Sequence, residues 1–372
     1  MESMKLEKTG NHMEEKSYEE ILKERIGSIS TVDDGARRAA RERWDSLAKP
    51  VDGLGRFEDM VVDIAGASGS ADVRLKKKAV VVMCADHGVV EEGVSQTDRS
   101  VTVNVANAVA GGSSTINVMA DAAGADVFAV DMGIAAGREC IDDRVIDMKV
   151  KPGTGNIAEG PAMTREEACR AVLSGMDMAA MLAERGYDIA VSGEMGIGNT
   201  TPMTAITCAL AGVEPYEITG RGAGLSDEGL ERKIRAVERA LRVNCPDPAD
   251  AVDVLSKVGG LEIAGMTGLF LGGAASGMPV AVDVSVSSAA AVIAVMICPA
   301  ASGYMIMSCV GKEPAAAVLA GMLGKKPVID ADMALGEGTS AVMLYPLLDM
   351  ALSVYNNGRT FDDADITAYE RF

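Results

Sequence analysis

Six short runs of β-branched and small apolar residues punctuate the chain, at 79–84, 126–131, 144–150, 188–192, 279–284 and 304–308. Runs of that length, with little polar alternation, predict strands buried on both faces of a parallel sheet. Between most of them, apolar residues recur at helical spacing, at 101–110, 165–185, 225–243, 261–272 and 288–296. This alternation predicts an α/β fold, with a doubly wound, mainly parallel six-stranded sheet covered by helices on both sides. The first 70 residues carry only helical patterns, at 18–26, 34–48 and 56–65, and the stretch 339–356 does the same at the other end. The expected layout is a small helical domain built from both termini (16–75 and 339–372) and a Rossmann-like α/β domain over 76–338. Residues 1–15 are expected to be a disordered tail. The apolar run 286–307 is rich in small residues and broken by Pro299 and Gly303, so it predicts a buried helix and a strand rather than a membrane span.

Composition narrows this picture. Apolar residues make up 48% and aromatics 3%, so the core is built from small aliphatic side chains, and 41 glycines suit tight helix–sheet packing. A net charge of −19 argues against nucleic acid or an anionic membrane as partner. An anionic small substrate would need a locally positive pocket. The seven cysteines are scattered, with no C-x-x-C pair, which reads as buried thiols in a reducing cytoplasm. The N-terminus lacks the apolar core of a signal peptide. Two histidines leave little basis for a His-based metal site.

Ligands of such sheets bind beyond the carboxyl ends of the strands. Asp86-His87-Gly88, Asp131, Glu194 and Asp283 all fall there, which points to a single cleft. The segment Gly193-Glu194-Met195-Gly196-Ile197-Gly198-Asn199-Thr200-Thr201 joins a strand-like run to a helical one. It reads either as a cradle holding an anion on backbone N–H groups or as a tight turn whose Asn and Thr cap the next helix. It matches neither the Walker A nor the dinucleotide glycine spacing. The acid inside it would repel the same anion. A second glycine cluster, Gly220-Arg221-Gly222-Ala223-Gly224, leads into another helix. On that helix Lys233 either reaches back to the loop or is an ordinary exposed lysine; the residues alone favour the second. Glu337 stands between Gly336 and Gly338 before a helix, as a first-turn acid favoured by the helix dipole or as a general base on a close-approach loop. For Asp86-His87-Gly88, a polar cluster organising the strand end is preferred over a catalytic or metal-binding histidine.

Taken in order, these segments resemble the nicotinate-nucleotide–dimethylbenzimidazole phosphoribosyltransferase family, from about residue 40 to the C-terminus. The resemblance rests on Lys49-Pro50 with Gly53-Leu54-Gly55, Ala85-Asp86-His87-Gly88-Val89, Gly111-Gly112 with Ile116-Asn117, and Pro152-Gly153-Thr154 with Asn156-Ile157-Ala158. It continues through Gly160-Pro161-Ala162-Met163-Thr164, both glycine clusters, Gly260-Leu261-Glu262-Ile263-Ala264 and Leu335-Gly336-Glu337-Gly338. It implies a cytoplasmic enzyme that moves phosphoribose from nicotinate mononucleotide to an aromatic base, giving an α-ribosyl nucleotide for cobamide synthesis, without metal or cofactor. It also implies a homodimer, or a heterodimer with a homologue. Carried over residue by residue, Glu337 becomes the catalytic base, Glu194 a second active-site carboxylate and Lys233 a nucleotide-contacting lysine. Gly193, Gly196, Gly198, Asn199, Thr200, Thr201, Gly222, Ala223, Gly224 and Asp283 fall to the donor. Asp86, Ser95, Asn104, Gly311 and Leu335 fall to the acceptor.

The departures from the family pattern gather on the acceptor side. Gln96-Thr97-Asp98 replaces Ala-Tyr-Pro, Asn104 replaces Gln, and Asp283-Val284-Ser285-Val286-Ser287-Ser288 replaces Asp-Gly-Phe-Ile-Ser-Thr. Ser308-Cys309-Val310-Gly311-Lys312-Glu313 replaces Ser-His-x-Ser-x-Glu. Dimethylbenzimidazole is the default acceptor. The alternatives are a phenolic or adenine acceptor, or a non-catalytic nucleotide-binding subunit of a heterodimer, against which the retained Glu337, Glu194 and Lys233 argue.

Overall fold

The apolar runs at 79–84 and 188–192 become neighbouring central strands of one parallel sheet. A computed structural model describes residues 16–371; the tail expected over 1–15 lies outside them. The chain runs α1 (Tyr18–Ile26), α2 (Asp34–Ser46), α3 (Arg56–Ser68), β1 (Lys78–Ala85), α4 (Ser100–Gly111), α5 (Thr115–Ala123), β2 (Ala125–Gly133), β3 (Ile146–Asp147), α6 (Arg165–Glu184) and β4 (Ile189–Met195). It continues with α7 (Thr200–Ala211), α8 (Pro215–Ile218), α9 (Asp227–Asn244), α10 (Ala251–Val258), α11 (Leu261–Ser276), β5 (Val280–Val282), α12 (Ser285–Ile297) and β6 (Met305–Met307). Last come β7 (Cys309–Val310), α13 (Ala315–Leu323), β8 (Ile329–Asp330), α14 (Thr339–Val342), α15 (Leu344–Asn357) and α16 (Phe361–Ala364).

The six-stranded sheet has the order β3-β2-β1-β4-β5-β6, and every pairing is parallel. Chain order therefore reverses between β1 and β4, and the crevice beyond their carboxyl ends is where a ligand binds in such folds. Alternate residues of β1 serve opposite layers. Ala79, Val81 and Met83 pack with α6, α11 and α12, whereas Val80, Val82 and Cys84 pack with α3, α5 and α15.

Helices from both termini meet in the second layer. The rings of Trp44 and Tyr355 lie 4.9 Å apart, and the Tyr345 hydroxyl donates to the Ala79 carbonyl at 2.8 Å, so these helices share their apolar layer with the sheet. The first helix, α1, lies on the other face. There Arg165 on α6 donates to Glu19 at 2.8 Å.

Five local elements differ from the sequence expectation. The strand expected at 144–150 pairs in register only at Ile146 and Asp147, at the sheet edge, before the chain peels away towards Pro152-Gly153. Helix 288–296 begins three residues earlier, at Ser285. The helix expected over 339–356 divides at Met343; Pro346, without an N–H, falls in the first turn of α15, where none is needed. Helix α13 is too uniformly apolar to show a 3.6-residue period. The small parallel pair β7–β8, also unforeseen, draws the segment before Glu337 alongside the sheet.

Candidate active site

The carboxyl ends of β4 and β5 open into a cleft of about 260 Å³. Its floor comes from β4 itself. The strand runs on to Met195, with Gly193 opposite Val82 and Glu194 opposite Met83, so the turn is confined to Gly196–Asn199. Gly193 and Glu194 are therefore strand residues and not, as the sequence suggested, the start of the loop. The conformation of Gly193 is ordinary; what requires glycine is close approach. A Cβ there would come within 2.5 Å of the Glu337 carbonyl oxygen.

The loop carrying Glu337 is held down on this floor. Gly336, Glu337 and Gly338 all adopt positive φ (80°, 59° and 87°), a run that only glycine accommodates without cost on either side of the acid. The Glu337 N–H donates to the Glu194 carbonyl at 3.2 Å. From beneath, the buried Asp283 accepts from the N–H groups of Gly338 (3.1 Å), Ser340 (3.0 Å) and Ala341 (3.0 Å), and from the Ser340 hydroxyl. Two carboxylates distant in sequence thus come to one wall. Glu337 Oε2 is buried there without a partner, and Glu194 accepts from the Asn199 amide.

Burial sets the charge state of these groups. Burial raises the Glu194 carboxyl to about 8, and the charges of Glu262, Asp283 and Glu337 push the same way against the Asn199 hydrogen bond. Glu337 is also raised by burial, offset by an N–H from Ile116. Lys233 is fully buried, and burial lowers it to about 8 against the pull of Glu313. Its Nζ donates to Thr200 Oγ1 at 2.7 Å and to the Gly220 carbonyl at 2.9 Å, stapling the two glycine-rich segments together. A cleft of this kind offers a proton acceptor, a second acid favoured by an incoming cation, and helix N-termini for an anion.

The model of the family described as phosphoribosyltransferase matches residues 29–366. The nicotinate-nucleotide–dimethylbenzimidazole phosphoribosyltransferase of Desulforudis audaxviator is 44% identical over 94% of this chain and 98% of its own. That of Acetivibrio thermocellus is 42% identical, over 89% and 93% respectively. The crystal structure of CobT from Thermus thermophilus superposes with a TM-score of 0.85 at 37% identity, covering 90% of this chain and 100% of that one. The chain belongs to the phosphoribosyltransferase family.

Within this phosphoribosyltransferase the expected site residues separate into wall and support. Glu194, Glu337, Gly196, Gly198, Asn199, Thr200, Gly222, Ala223, Ser95 and Leu335 line the cleft. Lys233 does not; it donates to Thr200, which does, and it is far from the exposed lysine that its local sequence suggested. Gly193 and Asp283 lie beneath the Glu337 loop. Thr201 is buried inside α7, and Gly224 is tied by its carbonyl to the Gln96 amide. Three residues expected at the acceptor stand off the wall. Asp86 is buried and accepts from Ala135 N–H at 2.7 Å, Asn104 is exposed while Val105 lines the cleft, and Gly311 backs onto Ser285.

Several wall residues had been named only as departures from the family pattern, with no site role. Val284, Ser285, Val286, Lys312 and Glu313 line the cleft one to three positions from the residues singled out, and Glu313 Oε1 accepts from the Gly222 N–H at 3.0 Å. The wholly buried pair of His87 and Glu262, with Nε2 to Oε1 at 2.7 Å, lies beneath Gly196. This agrees with a role for His87 in organising the strand end.

Proposed function

We infer that the protein transfers phosphoribose from nicotinate mononucleotide to a ring nitrogen of 5,6-dimethylbenzimidazole, releasing nicotinate and forming an α-ribosyl nucleotide 5′-phosphate. The observation that carries this is Glu337: a carboxylate of raised pKa, with one oxygen unpartnered, held against a second acid on the wall of the cleft. The relatives named above supply the reaction class.

The chemistry asks little more of the site. The pyridinium nitrogen leaves with the bonding pair and needs no proton, so no general acid is required. The attacking nitrogen of the base forms the new bond from the opposite side, and Glu337 takes the N–H proton from the partner nitrogen. Positive charge develops on the ribose as the old bond breaks, and Glu194 faces it. Burial holds the Glu194 carboxyl up at about 8, and arrival of the cationic pyridinium favours its ionised form. The N-terminus of α7, with Gly196, Gly198, Asn199 and Thr200, takes the phosphate, and Lys233 steadies that turn through Thr200. Among the described residues no helix is long and apolar enough to cross a membrane. A dimer is part of the same reading, with the mass in solution by light scattering as its check.

The test is nicotinate release from nicotinate mononucleotide, followed with dimethylbenzimidazole, adenine and phenol as acceptors. Release with dimethylbenzimidazole, and an α-ribosyl product by NMR, is the expected result. No release with any acceptor overturns the reaction; release with phenol or adenine alone overturns the acceptor.

A further inference from the structure

The second glycine cluster is held by an acid for which the reaction above has no use. Glu313 Oε1 accepts from the Gly222 N–H at 3.0 Å, while its Oε2 is buried without a hydrogen-bond partner. The carboxylate presses on the same loop, since a Cβ on Gly220 would overlap it. Glu313 stands between β7 and α13, where its carbonyl takes the Ala316 N–H at 2.9 Å. The cation within the loop does not answer it: Arg221 donates to the Leu225 carbonyl and to Asp227.

The donor that Glu313 occupies lies beside the start of α7. A Cβ on Gly222 would meet Thr200 Oγ1 at 2.9 Å and Lys233 Nζ at 3.5 Å. Thr200 opens α7, a helix of 12 residues whose N-cap, Asn199, makes no side-chain cap, so positive partial charge is concentrated at this turn. The Gly222 N–H, the Lys233 ammonium and the α7 turn thus converge, and the anion they meet is an internal carboxylate.

A carboxylate and a phosphate are alike in the donors they take, and the two oxyanions repel at contact distance in a partly buried cleft. A phosphate arriving at α7 therefore either stays clear of the Gly222 N–H or turns Glu313 out. The geometry favours the second course. Glu313 is half-buried on a flexible side chain, and its Oε2 has no hydrogen bond to lose. The N–H that it releases passes to the incoming oxygen, so no main-chain donor is left unpaired.

We propose that Glu313 is a displaceable positioning residue, whose carboxylate holds the Gly222 N–H as an internal stand-in for the donor's phosphate and yields that N–H as the phosphate binds. The proposal rests on the donor reading above, with the phosphate at the start of α7. It implies that Glu313 lowers donor affinity. If the seat is free in roughly a tenth to a fifth of molecules, the apparent affinity falls by about five- to tenfold.

Calorimetric titration with inorganic phosphate, and separately with nicotinate mononucleotide, compares wild type with Glu313→Gln and Gly220→Ala. It is done at pH 6.5, below the value of about 8 to which burial lowers Lys233, so that the ammonium keeps its charge in every protein. Glu313→Gln removes the competing charge. Gly220→Ala keeps that charge but evicts the carboxylate, because the new methyl overlaps only the far end of a flexible side chain and Gly220 is not at positive φ. Both variants should bind phosphate about fivefold more tightly, with a parallel fall in KM for the donor. A merely structural brace predicts the opposite sign, so unchanged or weaker phosphate binding in Glu313→Gln overturns the proposal. Tighter binding in Glu313→Gln with none in Gly220→Ala reduces Glu313 to a through-space repulsion, and overturns the displacement. In wild type, saturating phosphate should also move the assigned Gly222 amide resonance; a resonance that stays in place overturns the proposal without any variant. Tightening as expected in an enzyme that releases no nicotinate with any acceptor removes the transferase reading and leaves the role of Glu313 standing.

Discussion

Replacing Glu194 by glutamine should change how stability depends on pH more than it changes stability itself. The wild-type carboxyl sits at about 8 in the folded protein, against 4.5 for a free side chain, with burial the largest cause. The folded state therefore binds a proton more tightly than the unfolded chain. The stability due to this proton is complete below the unfolded value and is lost as pH rises through the folded one. Each pH unit inside that window is worth about 1.4 kcal/mol, so from about pH 5.5 to about pH 8.5 the loss is on the order of 3 kcal/mol. Glutamine fills the same space, can still meet the Asn199 side chain, and has no proton to lose. Urea unfolding of both proteins at three pH values across that range gives the measurement. The difference in unfolding free energy, variant minus wild type, should grow by on the order of 3 kcal/mol towards alkaline pH. A difference that stays flat, or that shrinks, would refute the assignment of a raised pKa to Glu194 and with it the idea that an incoming cation ionises this group.

Three further outcomes follow from the same geometry. Glu337→Gln should bind nicotinate mononucleotide within a few-fold of wild type while kcat falls by about 100-fold or more, read by calorimetry and initial rates; undiminished turnover would remove Glu337 from the role of base. Gly193→Ala places a methyl 2.5 Å from the Glu337 carbonyl oxygen, so it should lower kcat and cost roughly 1–3 kcal/mol in urea unfolding. Glu262→Gln keeps a partner for His87 but removes the foremost charge acting on Glu194. In that variant the alkaline end of the Glu194 stability window should move to lower pH, which the same unfolding series detects.

Much of this molecule is legible along the chain because its elements are local. A strand buried on both faces needs only a short apolar run, and all six runs became strands of the parallel sheet. The helix starts are likewise signalled within four residues, as where Thr164 and Glu167 cap α6 reciprocally. The ordered motifs identified the family from residue types alone, and the two acids proposed for the chemistry do share one wall.

What the chain could not show is which side a residue faces and what stands opposite it. Lys233 lies on a strongly amphipathic helix and looks like any surface lysine, but α9 packs so that its ammonium is buried between Thr200 and Gly220. Asp283, 55 residues before Gly338, anchors the loop of the proposed base instead of touching the cleft. Gly193 is glycine because a backbone segment 144 positions later presses on it. Local sequence determined the elements and the chemical inventory, since capping, period and turn chemistry act over a few residues. Tertiary structure alone decided which inventory residues became wall and which became support, because burial and close approach depend on atoms that the sequence places far apart.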